Sequence, residues 1–104
     1  MAHTKYHRVP GCKPVTDHEL RLLQAIEAAK AQVRPIDGTV WVMPSDLLNR
    51  GILDRDSSVH GCHQTAASLL RKRLLYRQKL GGLVHYSLTT EADVLLRDLK
   101  EASG

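Results

Sequence analysis

The spacing of apolar residues predicts an amphipathic helix in the first third of the chain. The apolar positions of this segment are Leu22, Leu23, Ile26, Ala29 and Val33. They recur every three or four residues, as on one face of a helix. Thr16 and Glu19 precede them with the spacing of a capping box, in which each side chain bonds the other residue's backbone N–H. Pro35 and the Asp37-Gly38 pair predict that the segment ends there.

The following residues predict one short strand and one short helix. Residues 39–42 combine β-branched and aromatic side chains, which favours a strand. Ser45 is the expected N-cap of a short helix over residues 46–50, and Gly51 is expected to end it. A third helix is predicted over residues 59–74, with Ser57 or Ser58 as its cap.

The two sides of this third helix differ in character. The side expected to face the core carries Val59, Cys62, Ala66, Leu69, Leu70 and Leu74. The opposite side carries His60, Gly61, Gln64, Thr65, Ser68, Arg71 and Lys72. An ordinary solvated helix mixes Glu with Lys, whereas this outward side has no carboxylate. The pattern indicates a surface that approaches something negatively charged.

The remaining residues predict a hairpin and a last helix. Residues 75–80 and 83–88 flank Gly81-Gly82, which is typical of a β-hairpin with a two-residue turn. The last helix is predicted over residues 92–102, with Thr90 and Asp93 spaced as in a capping box.

The predicted fold class is therefore α+β, mainly α. We expect residues 39–42 to pair with the hairpin in a three-stranded sheet over a three-helix core, followed by a C-terminal helix. Residues 1–15 are predicted to be an extended basic arm, and residues 16–104 one domain.

This order of elements resembles that of winged helix-turn-helix DNA-binding proteins. The run over residues 86–92, followed by Leu95, Leu96 and Leu99, is similar to the segment that leaves the wing in bacterial regulators of the MarR and PadR kind. Residues 67–75 are similar to the end of their recognition helix. The hairpin here is short and lacks the Asp-x-Arg of typical MarR wings. The resemblance implies that the third helix enters the major groove and that the hairpin is the wing.

The distribution of charge supports a polyanionic partner. The 104 residues carry a net charge of +4, but residues 57–90 contain no acidic residue. Five basic residues lie in that stretch, namely Arg71, Lys72, Arg73, Arg77 and Lys79. Clustered cations without carboxylates are the electrostatic footprint of nucleic-acid binding.

Under this hypothesis the predicted contacts divide into base contacts and phosphate contacts. His60, Gln64 and Ser68 are expected to meet base edges, and Gly61 is expected to allow close approach of the backbone. Thr65, on the same side of the helix, is also predicted to contact DNA. The cap residues Ser57 and Ser58 are expected near a phosphate at the helix N-terminus. The residues expected to hold phosphates are Arg71, Lys72, Arg77 and Lys79.

Other classes of function are less well supported by the sequence. His60, Cys62 and His63 do not share one helix face, so no metal site and no cofactor is predicted. No nucleophile elbow, P-loop, dinucleotide fingerprint or zinc-protease motif is present, and the chain is not predicted to be an enzyme.

We expect a cytoplasmic protein that binds double-stranded DNA and no membrane, because the sequence has no apolar run long enough to span one. A sequence-specific transcriptional regulator, bacterial or phage, is the first hypothesis, and a homodimer built on the first or last helix is expected. A replication, excision or partition factor of a phage or plasmid is an alternative. A winged helix that binds another protein is a second alternative, and it would need apolar anchors on the outward side of the third helix.

Overall fold

The computed structural model describes residues 15–53 and 58–103, and these residues form an α+β fold. The elements are α1 (Asp17–Ala29), α2 (Pro44–Asn49), α3 (Val59–Arg71), β1 (Leu75–Leu80), β2 (Leu83–Leu88) and α4 (Thr90–Ser103). The fold class predicted from the sequence is confirmed at this level. The predicted arm, apart from its last residue, and the predicted phosphate contact Ser57 lie outside the described residues.

Helix α1 begins with the predicted capping box. The Thr16 hydroxyl accepts a hydrogen bond from the Glu19 backbone N–H at 3.2 Å, and the Glu19 carboxylate accepts one from the Thr16 N–H at 2.9 Å. Both bonds satisfy N–H groups that a helix N-terminus leaves without an intrahelical partner. Leu22, Leu23, Ile26 and Ala29 are buried, which directs this helix into the core. The helix ends at Ala29, before the predicted end, so Val33 lies beyond it and is half-buried.

Helix α2 begins two residues before its predicted start, and Ser45 is not its cap. The N-cap is Met43, which makes no side-chain capping bond, and Pro44 occupies the first helical position. Proline favours this position because its φ is already helical and because the N–H that it lacks would have no partner there. Gly51, at φ 71°, ends the helix as predicted.

The predicted strand over residues 39–42 is not formed. Val42 alone reaches the sheet: its N–H donates to the Tyr86 carbonyl at 2.9 Å, and its carbonyl accepts from the Tyr86 N–H at 2.8 Å. Thr39 is bonded back to Ile36, and Pro44 already starts α2, so few residues between them are left for pairing. Among the described residues the sheet has two strands and one isolated bridge, not three strands.

The hairpin has the predicted two-residue turn. Strands β1 and β2 are antiparallel, and their register runs from Leu75 opposite Leu88 to Leu80 opposite Leu83. Gly81 and Gly82 have φ values of 60° and 80°. A turn of type I′ requires positive φ at both central positions, which glycine adopts without a steric penalty.

Helix α3 ends at Arg71 instead of continuing to residue 74. The Leu74 N–H bonds the Leu69 carbonyl at 3.0 Å, and the Arg73 N–H bonds the Leu70 carbonyl at 3.1 Å. This pair of bonds is a Schellman motif, with Arg73 at φ 61° in the left-handed position. The apolar pattern continues through Leu74 because that residue is buried as the chain turns into β1.

Helix α4 closes the core, and its cap is Thr89, not Thr90. The Thr89 hydroxyl accepts from the Ala92 N–H at 3.2 Å and donates to the Arg73 carbonyl at 2.9 Å. Thr89 therefore joins the start of α4 to the turn that ends α3.

The largest fully buried side chains of the core are Leu23, Ile26, Leu47, Leu69, Leu74, Leu95, Leu96, Val15 and Val42. Most of them come from the helices, whereas Leu74 lies in the turn before β1, Val42 beside the sheet and Val15 just before α1.

Candidate nucleic-acid interface

One stripe of α3 faces solvent along the whole helix. Its members are His60, Gln64, Ala67 and Arg71, all of which are exposed. They are spaced at i, i+4, i+7 and i+11, which places them on a single line of a helix with 3.6 residues per turn. We call these four residues the α3 stripe. The stripe is polar at its start, small in the middle and basic at its end.

The opposite side of α3 anchors the helix in the core. Cys62, Ala66 and Leu69 are buried, as the apolar periodicity predicts. Burial raises the pKa of the Cys62 thiol, which keeps it protonated and uncharged at neutral pH. Val59, which was expected on the core side, is instead 40% exposed at the first turn.

The N-terminus of α3 is capped by a serine, as predicted. The Ser58 hydroxyl accepts a hydrogen bond from the Gly61 backbone N–H at 3.0 Å, and Ser58 itself is exposed. Gly61 and Thr65 are half-buried beside the stripe. A Cβ added at Gly61 would lie 3.0 Å from the Ser58 hydroxyl, so the cap leaves little room for a side chain there.

On one flank of α3, two predicted DNA contacts are turned towards α1. The Ser68 hydroxyl donates to the Glu19 carboxylate at 2.8 Å. The Lys72 ammonium lies 2.6 Å from one oxygen of that carboxylate and 2.8 Å from the other. The side chain of Lys72 is 19% exposed and that of Glu19 only 5% exposed. Neither Ser68 nor Lys72 is therefore part of the exposed stripe.

The charge state of Glu19 follows from these contacts. Burial by itself raises the pKa of Glu19, because it disfavours the charged form. The hydrogen bonds from Lys72, Thr16 and Ser68, together with the Lys72 charge, outweigh burial and lower the pKa below its ordinary value. Glu19 is thus an ionised carboxylate held inside the protein.

The other flank of α3 contacts the hairpin. His63 Nδ1 lies 2.8 Å from the Tyr86 hydroxyl, and the two ring centroids are 5.7 Å apart. Tyr86 is buried on β2, and burial raises the pKa of its hydroxyl, although the Arg77 guanidinium opposes that shift. This contact fixes the position of the hairpin beside the helix.

Two predicted phosphate contacts lie on the hairpin face that includes Tyr86. Arg77 is the cross-strand partner of Tyr86, and Lys79 is the partner of Val84. Directly opposed residues of an antiparallel pair place their side chains on the same face of the sheet. Because Tyr86 contacts α3, Arg77 and Lys79 extend from the face of the hairpin that is turned towards this helix. Both cations are exposed.

The predicted site residues therefore fall into four groups. Those that are exposed are Ser58, His60, Gln64, Arg71, Arg77 and Lys79. Those that are half-buried beside the stripe are Gly61 and Thr65. Those engaged with Glu19 are Ser68 and Lys72. The remaining one, Ser57, lies outside the described residues.

Sequence reasoning missed two residues of this region. Glu19 was assigned only a capping role, because its partners on α3 are 49 and 53 residues away and no local pattern indicates them. Arg73, which lies exposed between the stripe and the hairpin, was not expected in a left-handed conformation. That conformation usually has a glycine as its signal in the sequence, and none is present here.

The described residues contain neither a metal-binding cluster nor a membrane-spanning helix. In residues 15–53 and 58–103, no three His, Cys, Asp or Glu side chains are grouped closely enough to hold a metal ion. In the same part of the chain, no helix combines the length and the apolar character that crossing a membrane requires.

Comparison with known proteins gave no relative. No family model matches the chain, and neither the curated proteins nor the solved structures that were searched contain a match.

Proposed function

We propose that the chain binds double-stranded DNA, with α3 in the major groove and the β1–β2 hairpin as a wing beside it. The observation that carries the proposal is the α3 stripe, which is exposed, free of carboxylates and flanked by the hairpin cations Arg77 and Lys79. The α3 stripe, together with Arg77 and Lys79, is called the DNA face below.

The shape of the DNA face suits a groove. The major groove of B-DNA admits one α-helix, and side chains on its outer line can reach base edges. The 12 residues from His60 to Arg71 span about 16 Å of helix, because each of the 11 steps rises about 1.5 Å. Ala67, in the middle of the stripe, is small enough to let the helix backbone approach the bases closely.

The side chains of the DNA face are assigned to two kinds of contact, with base edges and with backbone phosphates. Gln64 can bond adenine through two hydrogen bonds, and His60 can donate to or accept from several base edges. Arg71, Arg77 and Lys79 are assigned to backbone phosphates, which supply affinity but little sequence information. Ser58 lies at the helix N-terminus, where free N–H groups favour a phosphate.

The alternative of a protein-binding winged helix gains no support from the α3 stripe. Such an interface depends on large apolar anchors, whereas the stripe has a histidine, a glutamine, an alanine and an arginine. Tyr76 and Leu83 are exposed, but both belong to the hairpin and not to α3.

Transcriptional regulation is the role that the resemblance to winged helix-turn-helix proteins favours. A replication, excision or partition factor would use the same DNA face on a different site. Finding where the bound site lies separates the two roles, because a regulator is expected to bind at a promoter and a replication factor at an origin. Dimerisation is proposed as well, and sedimentation with and without a duplex selected from a random pool measures it. The apolar stripe of α4 contributes Ala92, Leu95 and Leu96 to the chain's own core, which leaves less of that helix for a partner.

Fluorescence anisotropy of a random-sequence duplex tests the DNA proposal. Each phosphate contact contributes about 0.9 to the slope of log affinity against log salt, so Arg71, Arg77 and Lys79 together predict a slope of about −3 or steeper. Arg71→Ala is expected to make that slope shallower by about 0.9. Arg97→Ala is the matched control, because Arg97 is equally basic and exposed but lies on α4. Equal slopes for the two variants would refute the assignment of Arg71 to the DNA face.

A further inference from the structure

The buried carboxylate of Glu19 is fully used by hydrogen bonds. One oxygen accepts from the Thr16 N–H at 2.9 Å and from the Lys72 ammonium at 2.6 Å. The other oxygen accepts from the Ser68 hydroxyl and the Lys72 ammonium, both at 2.8 Å. A carboxylate offers about four acceptor positions, and all of them are occupied. Glu19 therefore joins the first turn of α1 to the last turn of α3 and to its C-cap, Lys72.

The two α3 partners of Glu19 lie beside the α3 stripe. Ser68 and Lys72 are four residues apart, so they follow one line along the helix. Successive residues of a helix are about 100° apart, so Lys72 lies about 100° around the helix axis from Arg71. A rotation of α3 by about that angle would be needed to bring Lys72 into the stripe, whereas a smaller rotation would already turn Arg71 away from the centre of the DNA face. The bonds to Glu19 oppose that rotation from one flank, and the contact between His63 and Tyr86 opposes it from the other.

The Glu19–Lys72 pair also removes one positive charge from the DNA side of α3. The ammonium is close to both carboxylate oxygens and is mostly buried, so its charge is neutralised within the protein. Arg71 is then the one cation that the last turn of α3 contributes to the DNA face. Cations that contact phosphates raise affinity for any sequence equally, whereas base contacts discriminate between sequences.

We propose that Glu19 is a positioning residue for DNA recognition, which directs Lys72 away from the phosphates and sets the rotation of α3. This inference rests on the proposed DNA binding. With Glu19 in place, the affinity for random DNA is kept low and the α3 stripe determines sequence preference. Without the carboxylate, Lys72 becomes available to a phosphate and α3 loses one of the two contacts that set its rotation.

The test is a double-mutant cycle of Glu19→Gln and Lys72→Gln, read by the salt dependence of DNA binding. Glutamine at position 19 has nearly the shape of glutamate and can still accept from the Thr16 N–H in the capping box. Glutamine at position 72 lacks the charge but can still donate to Glu19. Folding of each variant is checked by circular dichroism, and binding is measured by anisotropy on the selected duplex and on random duplex. Arg71→Ala is included as the reference for the loss of one phosphate contact.

The proposal predicts a specific pattern in these measurements. Glu19→Gln is expected to steepen the salt slope by about 0.9 and to bring the affinities for selected and random DNA at least fivefold closer together. Lys72→Gln alone is expected to leave the slope unchanged, and the double variant is expected to return to the wild-type slope. A purely structural role of Glu19 would lower the melting temperature without changing the slope.

Several outcomes would overturn the proposal. One is a Glu19→Gln variant whose slope equals that of the wild type. Another is a Lys72→Gln variant that loses as much slope as Arg71→Ala, because Lys72 would then contact a phosphate in the native protein. This second measurement remains decisive if Glu19→Gln does not fold. Failure of the wild type to bind any duplex at low salt would overturn the proposed function itself, and the role of Glu19 in recognition with it.

Discussion

Arg73 occupies a backbone conformation that glycine would adopt more easily, so replacing it by glycine is expected to stabilise the chain. Its φ of 61° lies in the left-handed region, at the position that follows the C-cap of α3. Gly51 occupies the equivalent position after α2, at φ 71°, with the same pair of closing hydrogen bonds. The Thr89 hydroxyl, which donates to the Arg73 carbonyl at 2.9 Å, helps to hold the turn in place.

The size of the effect follows from two opposing contributions. A left-handed conformation costs a residue with a Cβ about 1–2 kcal/mol. Glycine offsets part of that relief, because it loses about 0.5–1 kcal/mol more conformational entropy on folding. The expected net gain for Arg73→Gly is therefore about 0.5–1 kcal/mol, which corresponds to a rise in melting temperature of about 3–6 °C in a domain of this size.

Thermal and urea unfolding of three variants measure this effect. Arg73→Ala removes the same side chain but keeps the Cβ, so Arg73→Gly is expected to be more stable than Arg73→Ala by about 1 kcal/mol. Gly51→Ala is the reverse change at the matching turn and is expected to cost about 1 kcal/mol. An Arg73→Ala variant as stable as Arg73→Gly would refute the reasoning, because the backbone at residue 73 would then carry no strain.

Three further predictions concern the core and its polar contacts. The pKa of Glu19 is lower in the folded than in the unfolded protein, so its contribution to stability is complete well above its ordinary pKa of 4.5 and is lost as the pH falls below that value. Urea unfolding between pH 3 and pH 7 is therefore expected to show that the stability difference between wild type and Glu19→Gln shrinks at low pH. A difference that stays constant with pH would contradict this. Leu69 is fully buried, so Leu69→Ala is expected to lower the free energy of unfolding by about 3 kcal/mol. Leu83 is 56% exposed, so Leu83→Ala is expected to change it by less than about 0.5 kcal/mol. Similar losses for the two variants would contradict the difference in burial between the two side chains. Tyr86→Phe removes the hydroxyl that contacts His63 at 2.8 Å and is expected to cost about 1 kcal/mol; unchanged stability in the same unfolding assay would show that the contact contributes nothing.

The parts of the fold that were predicted correctly have local signals. The capping box of Thr16 and Glu19 lies within one helical turn, and the Gly81-Gly82 turn is decided by two adjacent residues. Signals of this kind can be identified in the sequence because the atoms that interact are separated by few bonds.

The parts that were predicted wrongly depend on competition between neighbouring signals. Residues 39–42 have the composition of a strand, but the turn before them and Pro44 after them leave only Val42 to pair. The end of α3 was placed at residue 74 because Leu74, which is buried, continues the apolar pattern. The left-handed conformation that ends the helix is usually occupied by glycine, but here an arginine, Arg73, adopts it, so the sequence contains no signal for the true end.

The least predictable part of the candidate site is the direction of its polar side chains. A helical projection places Ser68 and Lys72 near the outward side of α3, and it contains no information about α1. The buried carboxylate of Glu19, far away in sequence, decides where both side chains point. Long-range pairs of this kind are determined by how the helices pack, which the local pattern does not encode.

The central claim is that the α3 stripe and the hairpin cations bind DNA. The most direct test is anisotropy of a labelled random duplex at several salt concentrations, comparing wild type with Arg71→Ala and with the Arg97→Ala control. The claim predicts a wild-type slope of about −3 or steeper, a slope shallower by about 0.9 for Arg71→Ala, and no change in slope for Arg97→Ala. Failure of the wild type to bind at low salt, or the same slope in all three proteins, would contradict it.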